Sequence, residues 1–518
     1  MIGGYSRLRW AAFAAVALVV GLLGLSAVLG AVGSDINGGR FAPVAALVRG
    51  YRLYYPQDVG PVLNTIYGPV SSLVYLPAAL CNSPTNAILT AVATSAFLYF
   101  SPVIAMFAAV GRRHGDFLVD TVGVLCFAAV TVNNPSGEIR NDSFPLFYSA
   151  FAVHADASSL GFGGAAVALV CLRSQSGGTR HLMLASFLAV AAVCSKQNFI
   201  LLPAALLLFT LLADGFKTFV GLGLRLLFTG VASVLVLGLM FGFHEMYFNL
   251  VVILSSTPLR PGLANLVREL LEHSLLPVST MVLVGILGTA ADGPADVDIR
   301  GWLRHNRWAV FAIVAAVMVP AAIGGRWRTG GIVNSWSPVV YFLWWGAIAA
   351  LVSTGRRRSG LPHPAARAAR AWLAILVGAH IVLQLPLLNY CLREQLPRRI
   401  KMLYKNRSEV AYQYARRHPG EVYFPRYPLS TLMAEGALYH LSYGLFERQV
   451  SGFAIDNAHF WAHVPPKLRA IAFVATTRVR GSAVDRYLPE FTVVSAEDEL
   501  PGWSLRVRNN EVEQTVRE

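Results

Sequence analysis

Charged side chains are scarce in this 518-residue chain, and a few sit where they could do chemistry together. Asp35 follows a long apolar run, in Gly33-Ser34-Asp35-Ile36-Asn37-Gly38-Gly39. A carboxylate at such a boundary can take a proton from an acceptor hydroxyl, which is general-base work, or simply cap the next helix. His154-Ala155-Asp156-Ala157 opens another apolar run, and Asp142 lies with Glu138 and Arg140 in the polar loop before it. An aspartate at a helix N-terminus is favoured by the helix dipole, a role compatible with catalysis. Ser195-Lys196-Gln197-Asn198 joins two further apolar runs. Its lysine suits a phosphate as a point charge, or snorkels at an interface. Arg326, Arg328 and Asn334 share a glycine-rich loop, where missing side chains let backbone amides approach an anion.

The elements that must hold these residues are membrane spans. Apolar residues make up 55% of the chain and charged ones 14%, against about 25% in soluble domains, which excludes a wholly soluble protein. The charges are uneven, 39 in residues 1–389 and 32 in residues 390–518. That split predicts a transmembrane domain over 1–389 and a soluble α/β domain over 390–518. A span needs about 20 apolar residues. Eleven candidates run over 10–32, 86–110, 117–133, 156–172, 181–195, 198–213, 219–242, 274–291, 308–324, 337–353 and 371–389. The stretch 62–81 is broken by Gly68, Pro69 and Pro77 and reads as a membrane-surface segment.

Orientation follows from the excess of basic residues in short cytoplasmic loops. With the N-terminus inside, the inner loops hold 16 Lys and Arg and the outer loops of the membrane domain nine. This places Asp35, Asp142, His154, Asp156, Lys196, Arg326 and Arg328 outside, together with the C-terminal domain. The net charge of +15 belongs to this pattern, and no aromatic-interleaved basic groove points to nucleic acid. Five cysteines, mostly in apolar runs, form neither a metal motif nor a disulfide framework. In the tail, a basic helical stretch runs from Leu392 to Arg417. A helix over 429–441 and strands at 421–425, 470–476, 491–495 and 503–508 follow.

The order of features resembles the GT-C-fold polytopic glycosyltransferases, which include protein O-mannosyltransferases and aminoarabinose transferases. Asp35, then Arg49-Gly50-Tyr51-Arg52-Leu53-Tyr54, then Tyr67-Gly68-Pro69 and Leu76-Pro77 are similar to that family's first exterior loop. Gly68 stands where the family has the first proline of Tyr-Pro-Pro. His154-Ala155-Asp156-Ala157 resembles the family's Arg/His-Pro-Asp-Ala, and Ser195-Lys196-Gln197 its Thr-Lys-Gln turn. The resemblance covers roughly residues 1–215. It implies transfer of a sugar from a polyprenyl-phosphate donor to a glycan, lipid or protein acceptor, at the outer face of a bacterial-type inner membrane, with inversion. By the same resemblance Asp35 is the base, and Lys196 and Gln197, with Arg326 or Arg328, bind the donor phosphate. Asp156 joins Asp35 at the catalytic centre, and Asp142 and His154 orient the acceptor or hold a divalent cation, magnesium or manganese, as in some relatives.

Three rivals share the compartment, one of them a structural membrane scaffold with a sensory tail. A transporter or flippase of lipid-linked glycans would want ionisable residues deep in its spans, and these spans hold few. A polymerase or ligase of such glycans with another fold would gather its key residues in one large loop, whereas here they spread over several.

Overall fold

The computed structural model describes residues 2–508 except 64, 115–116, 133–143, 174–178, 261, 293–297, 356–370, most of 373–384, 475–482, 489–490, 496–499 and 501–502. The apolar runs are helices, as a chain in lipid must pair its backbone groups internally. Among the described residues eight helices are long and apolar enough to cross a membrane. They cover Ala14–Ala31, Pro84–Val110, Ala155–Leu172, Gln197–Asp214, Phe216–Phe241, Ala264–Ile286, Ala309–Trp327 and Val333–Ser353. Two more of the eleven expected spans are shorter helices, Phe117–Thr131 and Thr179–Ser195. The fifteen residues of the first rise about 22 Å, short of a hydrocarbon layer about 30 Å thick. The eleventh, 371–389, lies mostly outside the described residues.

Val333–Ser353 is the axis of the bundle, buried from Val333 to Val352. Its Tyr341 and Trp345 pack against Tyr99 of Pro84–His114 and Phe127 of Phe117–Thr131, with Tyr341 5.0 Å from Tyr99 and 5.3 Å from Phe127 between ring centroids. The Tyr341 hydroxyl donates to the Tyr99 carbonyl, so burial leaves its polar end satisfied. Residues 62–81 do not span. They form a short helix, Val70–Leu73, and a 3-10 helix, Leu76–Leu80.

The short helices of the C-terminal region include Arg407–Arg417, Pro428–Glu435, Ser442–Val450 and Asn457–Ala462. A four-stranded sheet follows from β1 (Val422–Tyr423), β2 (Ala470–Val474), β3 (Phe491–Ser495) and β4 (Trp503–Arg508), in the order β1-β2-β4-β3. β1 runs parallel to β2, while β4 is antiparallel to both β2 and β3, with Ala472 opposite Leu505 and Val493 opposite Arg506. All four expected strands are present. The helix expected over 429–441 stops at Glu435 because Gly436 turns into the left-handed region, φ +74°, the usual helix stop. This region joins two cores with the first long loop. Leu429, Leu432 and Leu438 pack with Phe41, Ala42 and Ala45 of the Asp35–Leu47 helix, and Val62 packs among Tyr423, Leu445 and Phe460.

Candidate active site

Asp156 organises one end of the bundle. It sits in the first turn of the Ala155–Leu172 helix, fully buried. Lys196 Nζ donates to its Oδ1, and Asn334 Nδ2 donates to its Oδ2 at 2.6 Å. His154 Nδ1 lies 2.6 Å from the same oxygen and 3.2 Å from the Asp156 amide. The shorter contact, to a carboxylate, puts the proton on Nδ1. Nε2 is then free to accept from the Tyr67 hydroxyl at 2.9 Å. Burial, then the nearby Arg40 charge, push the His154 pKa well down, so the imidazole is neutral and a Tyr67–His154–Asp156 chain of hydrogen bonds runs inward. Burial also raises the Tyr67 hydroxyl above its ordinary pKa. Each acceptor on the buried carboxylate is met, which is the condition for holding an ion pair away from water.

Two close approaches fix this cluster. Gly68 N–H donates to the Ser195 carbonyl at 3.1 Å, and a Cβ on Gly68 would stand 2.0 Å from the Cys194 carbonyl oxygen. Only glycine fits at position 68, because the loop runs against the end of the Thr179–Ser195 helix. Gln197 secures the same loop by donating to the carbonyls of Ile66 at 2.7 Å and Leu250 at 3.2 Å. At the other wall, Gly331 folds back so closely that a Cβ would meet the Gly325 carbonyl at 2.3 Å. The 327–331 turn clasps residues 257–260: Arg260 N–H donates to Trp327 O at 2.7 Å and Thr329 N–H to Pro258 O at 2.9 Å.

Beside the cluster lies a cavity of about 810 Å³, within the range of small-ligand sites. One wall is cationic, with Arg40, Lys196, Arg260 and Arg328. Among the described residues Arg40, Arg260 and Arg328 form no ion pair with a carboxylate. Arg40 bonds the Tyr148 hydroxyl, and Arg328 the carbonyls of Leu254, Ser255 and Thr257. The facing wall comes from the C-terminal region: Arg426, Tyr443, Phe446 and Glu447. Between them the lining is largely aliphatic, including Ile36, Leu250, Val251 and Leu254.

The expected residues are only partly brought together. Lys196, Gln197 and Arg328 line the cavity. Arg326 does not: Glu269 holds it in a two-pronged pair at 2.7 and 2.8 Å, and Trp336 donates to the same carboxylate. Asp156 and His154 stand behind the wall and reach the cavity through Lys196 and Tyr67. Asp35 sits behind Arg426 and Tyr443, which donate to its Oδ2 at 3.3 and 3.1 Å. Burial, reinforced by the Asp35 charge, raises the Tyr443 hydroxyl pKa. Asp142 lies outside the described residues. The oxygens of Asp156 are occupied by Lys196, Asn334 and His154, so the donor set does not fit a divalent cation there. Among the described residues no three His, Cys, Asp or Glu side chains converge as metal ligands.

Sequence reasoning missed Arg40, Arg260, Arg426, Tyr443 and Glu447. For Arg40 a signal existed: an arginine beside Gly38-Gly39 on the face where the positive-inside rule leaves few cations. The other four come from distant segments with no motif of their own.

No protein-family profile matches the sequence, and no curated protein does. Solved structures do. The crystal structure of ArnT from Cupriavidus metallidurans bound to undecaprenyl phosphate is 13% identical, with a TM-score of 0.52 over 98% of each chain. The apo form of the same protein is also 13% identical, at TM-score 0.52 over 97% of this chain and 98% of its own.

The chain has the GT-C fold.

At 13% identity the likeness carries the architecture, and it extends through the C-terminal region. The likeness thus covers 98% of the chain, beyond the first 215 residues whose motifs resemble the family.

Proposed function

We propose that the chain is an integral membrane glycosyltransferase that moves a sugar from a polyprenyl-phosphate donor to a hydroxyl of a cell-envelope acceptor on the outer face. The observation that carries this reading is the cavity. It combines a cationic wall, an aliphatic lining suited to a lipid chain and a facing wall with carboxylates in or behind it. The likeness to a GT-C structure holding undecaprenyl phosphate supports it.

In this reading the donor phosphate lies against Lys196 and Arg328, with Arg40 and Arg260 beside them. The acceptor oxygen attacks the anomeric carbon as that carbon's bond to the phosphate oxygen breaks, giving inversion. Asp35 takes the hydroxyl proton once Arg426 and Tyr443 yield to the acceptor. The phosphate departs on its lipid, and fixed cations stabilise its growing charge. Asp156 is a positioning residue, setting Lys196 and, through His154, Tyr67. No step is routed through a metal.

The test is Asp35→Asn. Transfer should be lost while the purified protein still binds undecaprenyl phosphate as the wild type does. Full transfer by that variant would refute the base assignment, and loss of undecaprenyl phosphate binding would show that Asp35 serves the donor instead.

A further inference from the structure

The basic stretch after residue 389 takes no part in the proposed transfer. Cys391–Gln395 and Leu396–Lys401 form one helical path leading to the Asn406 cap of Arg407–Arg417. Its placement is set by two contacts. Arg399 Nη1 donates to the carbonyl and hydroxyl of Ser26, both at 2.6 Å, shortly before the Ile2–Ala31 helix ends. The Tyr404 hydroxyl donates to Asn86 Oδ1 at 3.3 Å, in the first turn of Pro84–His114. The path therefore lies where both helices leave the apolar layer, at the end of the bundle that carries Asp35.

Its remaining cations turn outward. Arg393, Arg398, Lys401 and Lys405 are exposed, and among the described residues none of them pairs with a carboxylate. Interleaved with them, Tyr390, Leu392, Ile400, Met402 and Tyr404 are exposed as well. Cations alternating with apolar and aromatic side chains, at the depth where spans meet water, make an interfacial surface. The apolar groups enter the acyl boundary while long basic stems lift their charges to the phosphates. Leu403, from the same stretch, packs into the core shared by Asp35–Leu47 and Pro428–Glu435, so whatever the strip binds is coupled to the elements around Asp35.

We propose that residues 390–405 form a binding strip for anionic phospholipid headgroups, which seats the C-terminal region on the membrane beside the active-site end. The proposal needs only that the chain crosses a bilayer and is independent of the sugar chemistry. It is tested on the full chain in detergent by native mass spectrometry with phosphatidylglycerol and phosphatidylcholine.

Phosphatidylglycerol should bind in preference and be displaced by salt, and each cation changed to glutamine should weaken it about fivefold. Arg393→Gln, Arg398→Gln, Lys401→Gln and Lys405→Gln combined should abolish the preference, while Arg393→Lys with Arg398→Lys keeps it. Equal binding of the two lipids by the wild type, or undiminished preference in the combined variant, would overturn the proposal. So would displacement by free glycerol phosphate as effective as by the lipid, since that assigns the strip to a soluble phosphate. If the combined variant does not fold, the wild-type preference and its salt dependence decide alone.

Discussion

Lys196 reads in the sequence as a lone cation between two apolar helices, and in the folded chain it is half of a buried ion pair. That changes what its removal does. Lys196→Ala leaves Asp156 buried without its counter-charge, a loss of about 3–5 kcal/mol, so the variant should lose stability as well as donor affinity. Changing both partners, Lys196→Met with Asp156→Asn, should restore most of the melting temperature but not the binding of undecaprenyl phosphate. If the double variant binds it normally, the lysine has no part in holding phosphate. Arg326 and Arg328 make the same point from opposite sides. Two residues apart at the end of the Ala309–Trp327 helix, one is neutralised by Glu269 and the other lines the cavity. Nothing near them in sequence distinguishes the two, because the deciding carboxylate comes from the Leu263–Asp292 helix.

At the scale of elements, the first long loop is the part most dependent on its neighbours. Gly68→Ala would drive a methyl group into the Cys194 carbonyl, and neither backbone can give way cheaply. The expected cost is about 1–3 kcal/mol, typical of an overpacked contact, with transfer falling further because Tyr67 moves with the loop. Unaltered activity in Gly68→Ala would contradict the positioning role of that contact. The same loop is latched from the C-terminal side by histidines. Val62 N–H donates to His440 Nδ1 at 2.8 Å, and His459 Nε2 donates to the Gly60 carbonyl at 2.7 Å. Burial, with His463 and His459 adding to it, lowers His440 to about 3, whereas an unfolded histidine titrates near 6.5. Between those values the unfolded chain binds a proton that the folded chain does not, so stability should fall as pH drops below about 6.5. Melting temperatures from neutral pH down to about pH 4 should decline, with a shallower slope in His440→Gln.

At the scale of the molecule, the cavity has two unlike walls because two unlike parts of the chain meet there. The membrane domain and its loops supply Arg40, Lys196, Arg260 and Arg328, and the C-terminal region supplies Arg426, Tyr443 and Glu447. The positive-inside bias predicts that this end of the bundle faces outside. Protease added to intact cells or right-side-out vesicles should therefore cut within the C-terminal region. Cysteines introduced at Arg112 or Lys217 should resist an impermeant thiol reagent. Labelling of those positions from outside would invert the topology and place the proposed chemistry on the other face.

The sequence by itself determined that the chain is a membrane protein, where most of its helices lie and that a small α/β region follows them, because these depend on local composition and period. It also brought out Asp35, Asp156 and Lys196, which are conspicuous in apolar surroundings. Only the tertiary structure decided which charges cancel, which cations stay in the cavity and that the C-terminal helices close it. Asp156 meets Lys196 across 40 positions, and Asp35 meets Arg426 across 391. Contacts at such separations leave no mark in local spacing, and they set the electrostatics of the site.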